Sequence, residues 1–467
     1  MLSMVDDVLS EEETLPVNAA WHRFLPRPLR DRLHGREGLQ AVLGNSAWLM
    51  ADKIVRMGMG LAVGIWVTRY LGPTQFGQLA YSWAFAGIVG AFATLGMDSI
   101  VVRELLKHPD ARDRILGSAF VLRFIGGLAA LGIALGAVSL LRPGDESSFV
   151  LIAIATGGYV VQSLNVIDFY FQSKVMSRYT VMCAMAAFVL MTILRVSLLL
   201  AHAPMIWFAV AALGDIVLAS IFLLVPYARQ KLSVAKWSFD ASITRRLVIE
   251  SWPITLALMA NLLYMRVDQI MIGQMLDETA VGLFAASAKL TEIWYFVPSA
   301  LLSSVFPALL AAKQTDAAVY RQRLQLLYDS MCWLGIAVGI VATLLSHWII
   351  PLVYGHAFAR TADVLTIQVW AGVAVAMASV YGNWLVIEGL QKYFLYYTPF
   401  ALGINVIANL ILIPRMGIEG AAIATLLAQF SPMLVQVAIP RTRDGALMML
   451  DAFRAPVRLR RHLFVRP

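Results

Sequence analysis

The sequence predicts an all-α integral membrane protein with about twelve transmembrane helices arranged in two six-helix lobes. Of its 467 residues, 60% are hydrophobic and only 14% are charged, and the mean hydropathy is +0.72. An average soluble domain carries roughly 25% charged residues. The apolar residues collect in long stretches, and most basic residues lie between those stretches. A water-soluble globule, a disordered chain and a collagen-like fibre are therefore excluded.

Twelve stretches are long and apolar enough to cross a bilayer. A hydrocarbon core about 30 Å thick needs about 20 helical residues, because each residue rises about 1.5 Å and a helix satisfies its own backbone hydrogen bonds in lipid. The predicted spans are residues 43–67, 77–100, 116–140, 149–171, 178–201, 205–227, 248–274, 282–310, 325–353, 362–389, 393–413 and 417–440. The connections on the outer side are short, so no extracytoplasmic domain is expected there.

The positive charges predict the orientation, because loops that stay in the cytoplasm carry an excess of Lys and Arg. Of the 37 Lys and Arg residues, 27 fall on the side of both termini and six lie within the spans. The remaining four are Arg69, Arg142, Arg360 and Arg415. We therefore predict that the N- and C-termini are both cytoplasmic and that these four arginines lie on the outer side.

Polar stretches divide the chain into five segments. Residues 1–40 form an N-terminal segment that is first acidic and then basic, and residues 441–467 form a basic tail. The polar loop at residues 229–247 separates an N-lobe of six spans, residues 41–228, from a C-lobe of six spans, residues 248–440. No cleaved signal peptide is visible, so the first span is expected to act as the insertion signal.

A weak internal repeat supports the division into two lobes. With a constant offset of 205 residues, the identical residues that align include Ser46 with Ser251, Ile65 with Ile270, Leu71 with Leu276, Thr74 with Thr279, Gly77 with Gly282, Ala80 with Ala285 and Ser82 with Ser287. Shared apolar composition alone gives several such matches. Both copies would cross the membrane in the same direction, as in transporters built from parallel repeats.

Four cations within the predicted spans are candidates for substrate binding. A charged group at mid-bilayer depth costs about 2.5–3.5 kcal/mol on insertion scales, so it faces a wet cavity or a partner. The four are Lys53 and Arg56 in the first span, Arg195 in the fifth and Arg266 in the seventh. Their depth and charge, rather than a motif, make them candidates.

The first span also carries an acidic candidate. Asn45, Asp52 and Arg56 are spaced seven and four residues apart and so share one helix face. Asp52 is a candidate for ion coupling, and Asn45 is a supporting polar residue. The alternative is that Asp52 and Arg56 neutralise each other between packed helices, and the sequence leaves both interpretations open.

The seventh span carries charges of both signs. Asn261, Tyr264 and Asp268 fall on one stripe at helical spacing, while Arg266 points away from that stripe. We predict that Asp268 and Glu250 are candidates for ion coupling and that Asn261 and Tyr264 are supporting polar residues. A proton or a sodium ion is the expected coupling ion.

The sequence carries none of the signatures of an enzyme. It contains no Walker-type phosphate loop, no paired metal-ligand cluster and no nucleophile-elbow spacing. Cys183 and Cys332 both lie in apolar stretches and form no disulfide or metal pattern. We therefore expect a transporter that needs no cofactor, no metal and no nucleic acid.

Four stretches are similar to a known family of membrane proteins. They are TRYLGPTQFG at residues 68–77, LGMDSIVVREL at 95–105, VDQIMIGQMLDETAVGLFAASAKLTE at 267–292 and NLILIPRMGIEGAAIATLL at 409–427. Together they resemble Wzx-type oligosaccharide flippases of the MOP exporter superfamily. The combination is fairly specific, although each stretch alone is not.

The resemblance implies a V-shaped, MATE-like fold and a substrate. The substrate would be an undecaprenyl-pyrophosphate-linked oligosaccharide repeat unit, moved from the inner to the outer leaflet of a bacterial inner membrane. The movement would serve the biosynthesis of O-antigen lipopolysaccharide, capsule or exopolysaccharide, with a polysaccharide polymerase and export machinery as partners. Alternating access through a cationic central cavity fits this substrate, because guanidinium groups bind phosphate oxygens strongly.

Three other functions remain open from the sequence. A MATE-type drug or metabolite antiporter shares the twelve-span layout but would use acidic rather than basic residues at its centre. A flippase for the peptidoglycan precursor belongs to the same superfamily, but its members usually have more spans. A membrane-embedded glycan polymerase or ligase usually needs a sizeable outer loop, and none is visible.

Overall fold

Helices make up nearly all of residues 37–455, which are the residues that this computed structural model describes. Side chains are described from residue 56 onward, except at residue 395. The described α-helices are α1 (Glu37–Thr94), α2 (Asp98–Lys107), α3 (Arg112–Leu141), α4 (Glu146–Gln162), α5 (Val166–Ser173), α6 (Ser177–Leu200), α7 (Met205–Arg229), α8 (Ala241–Met275), α9 (Glu278–Trp294), α10 (Phe296–Thr315), α11 (Ala317–Tyr354), α12 (Thr361–Gln368), α13 (Ala371–Ile387), α14 (Phe394–Met416), α15 (Ile418–Phe430), α16 (Pro432–Ala438) and α17 (Arg443–Asp451). Of the predicted terminal segments, residues 1–36 and 456–467 lie outside the described residues.

The predicted fold class is confirmed. Within the described residues, eleven helical stretches are long and apolar enough to cross a membrane. The first of them contains two spans, because α1 is broken at Gly72, whose φ of 72° and ψ of 174° are not helical. Glycine tolerates this φ, and Pro73 fits the first turn of the helix that follows because that position needs no N–H donor.

Several predicted spans contain a break that hydropathy alone did not reveal. The fourth span is interrupted by a 3-10 turn at Ser163–Asn165, and the eighth is divided at Tyr295 between α9 and α10. The tenth span divides between α12 and α13, and the twelfth divides at Ser431, where Pro432 begins α16. Discontinuous helices expose backbone groups inside the membrane, which transporters use at ligand sites.

The helices gather into two compact units. Within the described residues, the first unit comprises the chain up to Gly64, Phe92–Ile133 and Ala153–Thr255, and the second comprises Ile65–Ala91, Ala134–Ile152 and the chain from Leu256 onward. The unit boundaries therefore fall inside the first, second, third, fourth and seventh predicted spans. The lobe boundary at residues 229–247 stays a prediction.

Each unit has its own apolar core. In the first unit, Met97, Leu116, Phe171, Tyr227 and Leu247 belong to one buried cluster of side chains from α2, α3, α5, α7 and α8. In the second unit, the buried cluster joins α10, α11, α13, α14 and α17 through side chains such as Tyr328, Met331, Met377, Tyr381 and Met449. These cores fix the helices that carry the polar side chains described next.

Candidate substrate and ion sites

Arg195 is paired with a carboxylate in the first unit. It lies in α6, and its guanidinium forms an ion pair with Asp215 of α7. The side chains are 20% and 30% exposed, respectively. One oxygen of Asp215, Oδ1, is buried and has no hydrogen-bond partner among the described residues. Arg195 is thus held in place by a carboxylate whose other oxygen accepts no hydrogen bond from the described residues.

Arg56 lies close to the same carboxylate. Its Nη1 donates to the carbonyl oxygen of Ala184 at 3.4 Å, and its guanidinium lies 5.8 Å from the centroid of the Phe188 ring. It also lies within electrostatic range of the Asp215 carboxylate. Two of the predicted cations, Arg56 and Arg195, therefore lie in one part of the first unit with Asp215, an acidic side chain that the sequence did not single out as their neighbour.

Three predicted residues of the first span cannot be compared with the structure. Asn45, Asp52 and Lys53 lie in α1, but their side chains are outside the described residues. The polar face that Asn45 and Asp52 would share with Arg56, and the role of Lys53, therefore stay predictions.

Glu250 is engaged at the start of α8 in the first unit. Its carboxylate forms an ion pair with Arg103 of α2. The neighbouring Glu104, whose side chain is 4% exposed, pairs with Arg246 of α8 at 2.5 Å. These four charges join α2 to α8. The ion pair gives Glu250 a structural role, and its role in ion coupling stays a prediction.

Arg266 is paired in the second unit. Its Nη1 lies 3.3 Å from Oε1 of Glu292 in α9, and the two side chains are 33% and 35% exposed. One positive and one negative charge therefore balance here. The predicted cation Arg266 therefore has an acidic partner, so the pair as a whole carries no net charge.

Asp268 is the most buried acidic candidate, with 5% of its surface exposed. Its Oδ1 accepts a hydrogen bond from Asn409 Nδ2 at 2.5 Å, and its Oδ2 accepts one from Thr425 Oγ1 at 2.8 Å. Asn409 Nδ2 also donates to Asn405 Oδ1 at 3.0 Å. No basic side chain in the described part of the chain forms an ion pair with Asp268. A buried carboxylate is thus held by neutral groups of α14 and α15.

Two cavities border this cluster within the second unit. The smaller, of about 50 Å³, is lined by Tyr264, Asp268, Asn405, Thr425 and Tyr295, among others. The larger, of about 140 Å³, shares Tyr264 with the smaller one, and Asn261, aromatic rings and methionines also line it. The predicted stripe of Asn261, Tyr264 and Asp268 therefore lines these two cavities.

Several buried polar atoms around Asp268 are left unused by the protein. Tyr264 Oη, Gln368 Oε1, Asn405 Nδ2 and Asn409 Oδ1 are buried and have no hydrogen-bond partner among the described residues. Buried polar atoms in proteins usually have a partner, so four such atoms near one carboxylate indicate a site for a small polar ligand. Of the atoms around Asp268, the carboxylate, amide and hydroxyl oxygens are suited to a hard cation.

Sequence reasoning missed Asn405, Asn409 and Thr425. The two asparagines lie four residues apart in an otherwise apolar span, so they share one helix face. That spacing was the available signal. Thr425 gave no signal, because a lone hydroxyl in a transmembrane helix normally bonds its own backbone, and Thr425 Oγ1 does lie 2.9 Å from the carbonyl oxygen of Ala421.

Comparisons with known proteins agree with this architecture. A family model described as polysaccharide biosynthesis protein matches residues 42–313. The probable flippase AglR of Haloferax volcanii is 27% identical over 184 residues, so the match spans 38% of this chain and 38% of that relative.

Solved structures with a similar fold include two membrane transporters. An inward-facing multidrug resistance MATE family transporter of the MOP superfamily is 15% identical, with a TM-score of 0.68 over 85% of this chain and 95% of that one. The lipid II flippase MurJ in an inward closed conformation is 14% identical, with a TM-score of 0.65 over 90% of this chain and 93% of that one. At such low identity these likenesses establish the fold, which is the predicted MOP-type fold.

Proposed function

Since the chain belongs to the polysaccharide biosynthesis protein family, we propose that it is a flippase for a lipid-linked oligosaccharide. The family and the fold confirm the prediction of a transporter. The substrate is an undecaprenyl-pyrophosphate-linked repeat unit, which moves from the inner to the outer leaflet of a bacterial inner membrane. On the outer side, a polysaccharide polymerase and the export machinery then use it for O-antigen, capsule or exopolysaccharide.

The observation that carries this proposal is the pair of arginines beside Asp215. Arg56 and Arg195 place two guanidinium groups near one carboxylate at membrane depth. Counting Asp52 and Lys53 of the same span as well leaves an excess of one positive charge. A diphosphate supplies several negative oxygens, and charge-assisted hydrogen bonds from guanidinium groups to such oxygens are among the strongest in proteins.

The two arginines would bind the diphosphate by exchanging interactions with the Asp215 carboxylate for interactions with phosphate oxygens. Arg195 gives up part of its ion pair with Asp215 when the substrate arrives, and because its side chain is already mostly buried in that pair, little further desolvation of the guanidinium is needed. Arg266 supports this proposal less strongly, because Glu292 balances its charge. The prenyl tail stays in lipid while the headgroup crosses.

We further propose that Asp268 binds the coupling ion. Its carboxylate, the amide oxygens of Asn405 and Asn409 and the hydroxyl of Thr425 supply oxygens for a sodium ion. For sodium to bind, the Asn409 amide turns so that its oxygen rather than its nitrogen faces Asp268. A proton bound to the carboxylate is the alternative. Transport would then depend on the proton gradient rather than on the sodium gradient.

Removal of the protein tests the proposed function directly. We expect the lipid-linked oligosaccharide to accumulate in the inner leaflet and the surface glycan to disappear. Resupplying the wild-type protein should reverse both changes, whereas the Arg56→Gln and Arg195→Gln variants at equal protein level should reverse neither. Normal surface glycan without the protein, or full restoration by both variants, would contradict the proposal.

A further inference from the structure

Arg142, at the end of α3, makes a set of contacts that the proposed binding sites do not explain. We propose that Arg142 is the outer gating residue of this transporter, whose contacts must break before the substrate can leave toward the outer leaflet. The inference rests on the proposed transport function. It goes beyond it by assigning a role to a residue that the sequence placed in an outer loop.

The guanidinium of Arg142 binds groups from both halves of the sequence. Nη1 lies 2.7 Å from Oε1 of Glu278 and 3.4 Å from Oδ2 of Asp145, and Nη2 donates to the carbonyl oxygen of Gly273. Its plane lies 4.2 Å from the centroid of the Tyr81 ring. The Arg142 side chain is only 11% exposed. A charge with so many partners is firmly held.

The residues around Arg142 extend the same contact. Tyr81 Oη accepts a hydrogen bond from Gln274 Nε2 at 2.7 Å, so the residue whose ring lies under the Arg142 guanidinium is itself bound to α8. Thr74 Oγ1 and Thr279 Oγ1 lie 2.9 Å apart and share a hydrogen bond. Each contact joins residues of the first two spans to residues around the turn between α8 and α9.

The backbones of α1 and α9 touch directly beside these side chains. A Cβ atom added at Gly77 would overlap the carbonyl oxygen of Glu278, and one added at Gly282 would overlap the carbonyl oxygen of Pro73. Two glycines thus allow an approach that any other residue would prevent. The contact is therefore tight, as a closed gate requires.

The position of these contacts favours a gate over a simple anchor. Residues 65–91 and 134–152, which lie at the predicted outer ends of the first four spans, belong to the same compact unit as the second half of the chain. The contacts are made by side chains and by one carbonyl oxygen at helix ends, so they can separate without unfolding a helix. A substrate that passes between the two halves must separate them.

Cysteine labelling from the outside tests the gate without any substrate. In a background with Cys183→Ala and Cys332→Ala, the reporter is Ser82→Cys, because Ser82 is 1% exposed and follows Tyr81. The control is Ser147→Cys, at an exposed position of α4. With a membrane-impermeant maleimide, we expect Arg142→Gln to raise labelling at position 82 at least fivefold relative to position 147. Glu278→Gln should raise it less, because Arg142 keeps its other partners.

A reversible cross-link tests the same gate by holding it closed. Thr74→Cys with Thr279→Cys places two thiols within disulfide reach. Oxidation should stop the display of surface glycan, and a reductant should restore it, whereas each single variant keeps display under both conditions.

Three results would overturn the gate. They are unchanged labelling at position 82 in a normally expressed Arg142→Gln variant, full glycan display in a completely cross-linked protein, and failure of the outside reagent to reach position 147. Labelling needs no glycan, so its failure rejects the gate without rejecting the flippase. Normal glycan display in cells that lack the protein rejects the flippase while the labelling result stands by itself.

Discussion

Arg195 tests whether the shape of a cation matters as well as its charge. The guanidinium can bind two phosphate oxygens at once, whereas an ammonium acts as a point charge. We expect Arg195→Gln to lower glycan display at least about tenfold, since a hydrogen bond to a charged group contributes about 1.5–3 kcal/mol, and Arg195→Lys to be intermediate. The control is Arg415→Gln at an exposed position of α14. Equal display in all three variants would exclude a phosphate-binding role.

Asp268 tests the identity of the coupling ion. If sodium binds there, it stabilises the folded protein by about 1.4 kcal/mol at roughly ten times its Kd. Purified wild-type protein should therefore melt at a higher temperature in NaCl than in KCl, and Asp268→Asn should abolish that difference. The exposed Asp363→Asn is the matched control. A difference that persists in Asp268→Asn would place the ion elsewhere, and no difference in the wild type would favour a proton.

At the level of residues, the sequence predicted which side chains carry charge at depth but not what they contact. Arg195 and Arg266 were identifiable because a charge in an apolar stretch is conspicuous. Their partners Asp215 and Glu292 were not, because the pairing depends on which helix faces pack together. Asn409 lies 141 residues from Asp268 in the chain, and no periodicity connects residues at that distance.

The start of α8 depends on one capping side chain. Asp240 Oδ1 accepts hydrogen bonds from the backbone N–H of Ser242 at 2.9 Å and of Ile243 at 3.2 Å, and from the Ser242 hydroxyl. We expect Asp240→Ala to lower the free energy of unfolding, as loss of such a cap typically does. Denaturation in detergent measures it, with the exposed Asp110→Ala as control. Equal stability of the two variants would refute the capping role.

The same cap predicts a pH dependence. Hydrogen bonds from the Ser242 hydroxyl and from the backbone of Ile243 hold the pKa of Asp240 below its ordinary value of 3.8. A carboxylate whose pKa is lowered by folding stabilises the protein fully above its unfolded pKa and loses that contribution as the pH falls through the lowered value. The wild type and Asp240→Ala should therefore differ fully in stability above about pH 3.8 and converge as the pH falls through the lowered pKa of Asp240.

The close approach of α1 and α9 gives a prediction with an internal control. Gly77→Ala forces a methyl group into the backbone of Glu278, whereas Gly87→Ala in the same helix meets nothing within 4 Å. We expect Gly77→Ala to destabilise the protein by about 1–3 kcal/mol, as overpacking does, and Gly87→Ala to be neutral. Thermal unfolding of the two variants, read together with their expression levels, decides it. Similar behaviour of both would mean that the helices separate easily.

For whole elements, hydropathy was sufficient to find the spans and insufficient to find their breaks. A span is predicted by some twenty apolar residues, and that signal persists when the backbone turns once inside it. Hydropathy does not change at the break at Tyr295, because aromatic and apolar residues continue on both sides. Residues that a helix interior disfavours mark three of the breaks: Gly72 with Pro73, Pro298 in the first turn of α10, and Pro432.

For the whole molecule, a drug antiporter with the same fold is the remaining competitor. Loss of an antiporter makes cells sensitive to toxic cationic dyes, whereas loss of a lipid-linked oligosaccharide flippase removes surface glycan. We expect a deletion strain to keep wild-type dye resistance and to lose its glycan. Growth across a dye series, compared with surface glycan staining, distinguishes them. Dye sensitivity with intact glycan would assign the protein to the antiporters.

The contact between Thr74 and Thr279 has a consequence for the symmetry of the chain. These two residues, like Gly77 and Gly282, are separated by 205 positions, the offset of the internal repeat. Each residue thus meets its own counterpart, as residues do on the axis of an isologous dimer. A pseudo-two-fold axis therefore passes through this contact. It follows that each half of the chain presents the same surface to the other half at this contact.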